Sequence, residues 1–143
     1  MFIGEYQYSI DDKNRLALPA RFRARLAKGS VVTRGLDNCL FVYTREEWQK
    51  LSVKLAALPI SQAKSRAFAR LMLAGAMEIV LDKMGRFVVP DYLKQFAGLG
   101  KNVVIAGLYD RLEIWDAKIW DQYKQKTEKE SNDIAETLGE LGV

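Results

Sequence analysis

Read for its apolar and polar positions, the chain resolves into a set of short elements that occurs twice. Phe2, Tyr6, Tyr8 and Ile10 stand among polar neighbours, a loose two-residue period that predicts a strand over residues 2–10. Asp11 to Asn14 reads as a turn and Arg15 to Leu18 as a second, short strand. Pro19 favours a first helical turn. Residues 20–27 then place Phe22 and Leu26 four apart on one face, with Gly29 as the stop. Two apolar strands follow, around Ser30–Thr33 and Leu40–Tyr43, joined by the turn Gly35-Leu36-Asp37-Asn38. Thr44, with Glu47 three residues on, has the form of a capping box. It opens a helix through Trp48, Leu51, Leu55 and Leu58 that Pro59 ends.

The same order then returns. Asp82-Lys83-Met84-Gly85-Arg86-Phe87-Val88-Val89-Pro90 restates Asp11-Asp12-Lys13-Asn14-Arg15-Leu16-Ala17-Leu18-Pro19. Both read Asp-x-x-x-Arg, three apolar residues, then Pro, with each landmark recurring 71 residues later. A helix over Asp91–Phe96 is predicted next, then strands at Asn102–Ala106 and Leu112–Trp115 around the turn Gly107-Leu108-Tyr109-Asp110, and a cap at Asp116. Val103-Val104, Gly107-Leu108, Leu112 and Trp120 match Val31-Val32, Gly35-Leu36, Leu40 and Trp48 at an offset of 72. So long a constant offset marks a duplicated module, and it implies an α+β fold of two β-α-β repeats. Asn14 stands where the second copy has Gly85. Both residues tolerate positive φ, so the two turns are predicted to share a left-handed position. The copies span residues 1–58 and 77–127, joined through 59–76, where a helix over about 61–74 carries Ala67, Phe68, Leu71 and Met72. Residues 128–143 form an acidic tail with little apolar periodicity, predicted to lack regular structure.

Composition narrows the chemistry. The 143 residues include no histidine, which removes Ser-His and Cys-His nucleophilic sites and histidine metal ligands together. Cys39 is alone, so neither a disulfide nor a cysteine cluster is expected. No apolar run reaches the roughly 18 residues of a membrane span, and the start lacks a secretory signal, which points to the cytoplasm. The net charge of +4 is unevenly spread. Glu128, Glu130, Asp133, Glu136 and Glu140 against Lys129 give the tail −4, leaving +8 on the first 127 residues. A basic body of this kind attracts polyanions.

The repeated aspartate and arginine are the candidate chemistry. An aspartate four residues before an arginine can staple the turn. It can also orient the guanidinium toward a phosphate or a guanine edge, both of which arginine binds bidentately. Retention of both charges in both copies favours the second use. Arg15 and Arg86 are therefore candidates for binding a phosphate or a guanine edge, with Asp11 and Asp82 orienting them. Lys13, Lys83, Asn14 and Arg21 are further candidate contacts. The run Arg21, Arg23, Arg25, Lys28 and Arg34 predicts the stronger phosphate face in the first half. A catalytic reading would pair Asp11 and Asp82 as an aspartic dyad. The adjacent lysines would hold them ionised, so no enzyme, cofactor or small-molecule substrate is expected.

The two Asp-x-x-x-Arg-apolar-apolar-apolar-Pro copies, with Met1-Phe2-Ile3-Gly4, Pro19-Ala20-Arg21 and Leu112-Glu113-Ile114-Trp115-Asp116, make residues 1 to about 125 similar to the MraZ family of bacterial transcriptional regulators. Single-copy relatives of that module are the AbrB-like swapped-hairpin DNA-binding domains. The resemblance implies that the halves intertwine into one pseudo-twofold β-barrel flanked by helices. It also implies that subunits join in a ring and bind double-stranded promoter DNA, at direct repeats ahead of the division and cell-wall genes, in the nucleoid. It casts Arg15 and Arg86 as the DNA readers. The competing expectation is an AbrB-like assembly or protein-interaction module with incidental basic charge, using apolar residues 48–72 as a partner groove.

Overall fold

The computed structural model describes residues 1–143. Its first copy contributes β1 (Phe2–Ser9), β2 (Arg15–Ala17), α1 (Ala20–Ala27), β3 (Ser30–Arg34), β4 (Leu40–Thr44) and α2 (Arg45–Ala56). After α3 (Ala63–Ala69) and a π-helical turn at Arg70–Ala74, the second copy gives β5 (Met77–Glu78), β6 (Arg86–Val88), α4 (Asp91–Phe96), β7 (Asn102–Tyr109), β8 (Leu112–Asp116) and α5 (Ala117–Lys129). The chain ends in α6 (Ser131–Leu138) and a single 3₁₀ turn.

The copies exchange strands. β1 pairs antiparallel along its whole length with β7, and β5 pairs with β3, so each copy's first strand lies in the other's sheet. β4 and β8 meet in the middle, giving the order β1-β7-β8-β4-β3-β5, which reads the same from both ends once each strand is swapped for its counterpart. This is the internal twofold that the repeat implies. The sheet does not close into a barrel: β1 and β5 are free edges, and β2 with β6 forms a separate two-stranded ribbon. The fold is thus a mixed α+β arrangement around an antiparallel sheet.

Alternation along the central strands serves two layers. Leu40, Val42, Leu112 and Ile114 face a main core of 19 buried residues that also takes Leu16 and Phe87 from the ribbon and Leu26 and Leu93 from α1 and α4. Cys39, Phe41, Tyr43 and Trp115 face the other way, against Leu55 and Met72, with Trp48, Leu51, Leu58, Ile119 and Trp120 packed around them. Trp48, Leu51, Leu55, Leu58 and Met72 of the 48–72 stripe therefore cover the sheet, whereas Phe68 of the same stripe is exposed. Glu113 is buried in this layer opposite Phe41. It is satisfied by Trp115 Nε1 at 3.0 Å and Arg111 Nη2 at 3.0 Å.

Several predicted boundaries shift for identifiable reasons. β7 runs to Tyr109, through residues read as a turn, because β1 offers it partners as far as Phe2. Gly107 permits this, since a Cβ there would lie 2.5 Å from the Ile3 nitrogen. Thr44 Oγ1 accepts the Glu47 N–H, but the Glu47 carboxylate turns to Lys50, so only half of the capping box forms. The acidic tail is helical where irregular chain was expected. Ile134, Leu138 and Leu141 recur at helical spacing, a pattern hidden by the flanking acids. No helix is long and apolar enough to cross a membrane.

Leu16 and Phe87 are directly paired in the ribbon, and both are buried. They are the ribbon's main hold on the core. Leu16→Ala is expected to destabilise the fold by about 2–5 kcal/mol, the range for large-to-small core changes. Denaturant melts measure this, and a loss below about 1 kcal/mol would contradict it.

Candidate nucleic-acid interface

Each Asp-x-x-x-Arg segment builds the same small object. The turn closes when Asn14 N–H donates to Asp11 O and Gly85 N–H to Asp82 O, each at 3.0 Å. Asn14 and Gly85 both take the predicted left-handed backbone, at φ 59° and 75°. Asp11 Oδ1 then accepts the backbone N–H of Arg15 at 2.8 Å and of Lys13 at 3.0 Å, while Oδ2 accepts Arg15 Nε at 2.7 Å. In the second copy Asp82 Oδ1 accepts Arg86 N–H and Met84 N–H, each at 2.9 Å, and Oδ2 accepts Arg86 Nε at 2.9 Å. The two loops match bond for bond.

These bonds fix what the arginines can still do. The aspartate occupies Nε alone, leaving the Nη1 and Nη2 donors of each guanidinium without a protein partner. Two parallel N–H groups at the end of a held side chain form the fork that fits guanine N7/O6 or two phosphate oxygens. Both carboxyls are held below their ordinary range, chiefly by the backbone N–H of Arg15 or Arg86, with the Nε bond and the second amide adding to it. A depressed folded-state value means that the ion pairs are fully formed above the unfolded value of about 3.9 and are lost only as pH falls through the lower folded one.

The ribbon sets the two forks relative to each other. Arg15 lies opposite Val88, Leu16 opposite Phe87 and Ala17 opposite Arg86. With Leu16 and Phe87 turned into the core, the residues on either side share the outer face, so both arginines emerge on one surface about the internal twofold. They occupy diagonal positions, for which Cα separations of about 7–8 Å are usual.

The loops differ in what fills the space beside the left-handed residue. Asn14 Nδ2 donates to Asp91 Oδ1 at 2.9 Å and its Oδ1 accepts Lys94 Nζ at 3.0 Å, tying the first loop to α4. Above Gly85 that space belongs to Arg23 of α1, whose Cδ would be 2.3 Å from an added Cβ and whose Nε donates to Leu18 O. Arg23 and Lys94 are counterparts at the motif's offset of 71, a relation visible in the sequence that points to these roles.

The remaining sequence candidates are distributed unevenly. Lys13 and Lys83 are both exposed, but not at equivalent sites: Met84 matches Lys13 in its bond to the aspartate, and Lys83 matches Asp12. Arg21 donates to the Tyr6 hydroxyl at 3.2 Å on the exposed side of α1. The basic run does not form one face. Arg21, Arg25 and Lys28 line exposed α1, whereas Arg34 packs over the Tyr92 and Phe96 rings and donates to Leu71 O. No group of three or more histidine, cysteine, aspartate or glutamate side chains is placed to hold a metal.

Comparison with known proteins agrees with the duplication. The family model described as MraZ protein matches twice, over residues 1–71 and 72–140. Proteins named transcriptional regulator MraZ resemble the chain throughout. Those of Thermoanaerobacter pseudethanolicus and Acetivibrio thermocellus are 43% and 44% identical over 143 residues, all of both chains. That of Heliobacterium modesticaldum is 49% identical over 138 residues, 96% of each. The chain belongs to the MraZ family.

Proposed function

We propose that this protein is a sequence-specific DNA-binding transcriptional regulator whose reading surface is the outer face of the β2–β6 ribbon. The observation that carries the reading is the pair of Nε-tethered guanidinium forks, Arg15 and Arg86, presented on one side of a two-stranded ribbon. Ribbons of this kind enter the major groove, and a fork held by a carboxylate reaches guanine without first losing its conformational freedom. Asp11 and Asp82 act as orienting groups. Lys13, Lys83, Arg21 and the α1 stripe supply phosphate contacts, with Asn14 holding its loop in place. The relatives' printed name, transcriptional regulator, supports the same assignment. The working location is the cytoplasm, on the nucleoid. Promoter DNA of the division and cell-wall genes is the target implied by resemblance, and no enzymatic step is assigned.

Subunits are proposed to assemble head to tail into a ring, as the resemblance to the MraZ family implies. Successive subunits in such a ring are related by rotation, so the operator consists of direct repeats.

Arg15→Ala is expected to weaken specific DNA binding by roughly 1–3 kcal/mol, the worth of one bidentate base contact, and Arg86→Ala to do the same. Gel-shift affinity is the readout, with thermal melting showing that the variants stay folded. Unchanged affinity would overturn the assignment. For the assembly, the expected repeat spacing is near one helical turn, about 10–10.5 bp. Inserting half a turn between repeats should remove most of the affinity and a full turn should restore part of it, measured at one salt concentration. Indifference to spacer phase would rule out the direct-repeat arrangement.

A further inference from the structure

The outer face of the ribbon carries four side chains, of which only two are arginines. Arg15 is paired with Val88 and Arg86 with Ala17. Val89 N–H donates to Asn14 O and Leu18 N–H to Gly85 O, so residues 14 and 89, and 18 and 85, are hydrogen-bonded pairs. Antiparallel ladders alternate. Arg15–Val88 and Ala17–Arg86 are therefore the close, non-hydrogen-bonded pairs, with Cα atoms about 4.5 Å apart and side chains side by side. Val88 is 59% exposed, a branched apolar group standing in solvent beside the free Nη donors of Arg15. At the twofold-related place beside Arg86 there is only the methyl group of Ala17.

We infer that Val88 is a specificity-determining residue, seating the C5 methyl group of a thymine next to the guanine read by Arg15. This rests on the DNA-reading assignment. The thymine methyl and the guanine N7/O6 edge line the same major groove, and apolar side chains are the groups that recognise that methyl. Adjacent bases on a strand are about 3.4 Å apart along the helix axis. A cross-strand neighbour about 4.5 Å from Arg15 at the backbone thus falls over the next base. Ala17 is half-buried and reaches less far than Val88, so the two halves of the reading surface differ in how strongly they select the adjacent base: thymine is favoured more beside Arg15 than beside Arg86. Duplication followed by divergence at position 88 would give one chain a direction on its site.

Val88 also borders a shallow, mainly apolar groove shared with Val32, Met77, Glu78, Val80 and Phe87. A second copy of the chain seated there would cover Val88 as well, and the experiment must tell these occupants apart.

The full chain first selects a duplex from random-sequence DNA. That duplex is then resynthesised with each thymine replaced in turn by deoxyuridine, which removes only the methyl group. Affinities are measured for the unmodified protein, Val88→Ala and Arg15→Ala, and oligomeric state is measured by light scattering. The expected result is one thymine, adjacent to the guanine on which Arg15 acts, whose replacement weakens binding about fourfold, as loss of one buried methyl-sized group would. Val88→Ala should lose a similar factor on the original duplex and be indifferent to the replacement. If Arg15→Ala weakens binding but no single deoxyuridine does, or if Val88→Ala retains the full deoxyuridine penalty, the methyl contact is wrong while the arginine assignment stands. If Arg15→Ala binds as well as the unmodified protein, both fall. A Val88→Ala protein that changes oligomeric state and keeps the deoxyuridine penalty assigns Val88 to a contact between copies and overturns the inference.

Discussion

Neither copy of the repeat can satisfy its own backbone. The eight residues of β1 find their hydrogen-bond partners on β7 of the other copy, and β5 finds its partner on β3. A strand edge left without a partner exposes a row of donors and acceptors, so the two halves cannot fold as separate beads. The ribbon follows from this exchange. It takes one strand from each copy, and its inner pair, Leu16 and Phe87, drops into the shared core. The positions of Arg15 and Arg86 are thereby set by the whole core and not by two independent loops. This is the condition for two donors to meet two bases at once.

Within that frame the copies have diverged where divergence costs little. Both loops keep the aspartate, the left-handed residue and the arginine, because the bonds between them define the loop. The side-chain space above the left-handed residue is free to be filled from either direction. Asn14 fills it from the loop and is met by Asp91 and Lys94, while Gly85 leaves it to Arg23. A Cβ at residue 85 would meet the Arg23 side chain, so a side chain there requires Arg23 to move. In the outer pairs Arg15–Val88 and Ala17–Arg86 the divergence falls on Val88, which is exposed, and on Ala17, which is half-buried.

Much of this architecture was legible in the chain. The offset of 71 located both loops, both short helices and both arginines, and α1 and α4 begin and end where the spacing of Phe22 with Leu26 and the flanking prolines and glycines place them. The left-handed turn at Asn14 and Gly85 followed from their shared position. What stayed hidden depends on pairing between distant segments. The Gly107–Tyr109 stretch carries turn residues and becomes strand only because β1 lies beside it. The repeat alone did not show that the copies would differ at the exchanged strand, where β1 has eight residues and its counterpart β5 only two. Lys13 and Lys83 look equivalent by composition but are one position out of step, which the bond pattern to the aspartates reveals. The dispersal of the basic run was equally hidden, because Arg34 is drawn to aromatic rings contributed by the second copy.

Arg15 and Arg86, related by the internal twofold, are proposed each to hold a guanine in the major groove. Methylation interference at guanine N7 tests this assignment most directly, because the added methyl group occupies the acceptor that a bidentate arginine needs. Two sensitive guanines per subunit are expected on opposite DNA strands, one losing its sensitivity in Arg15→Ala and the other in Arg86→Ala. Interference that falls on one strand only, or a pattern that neither substitution changes, would contradict it.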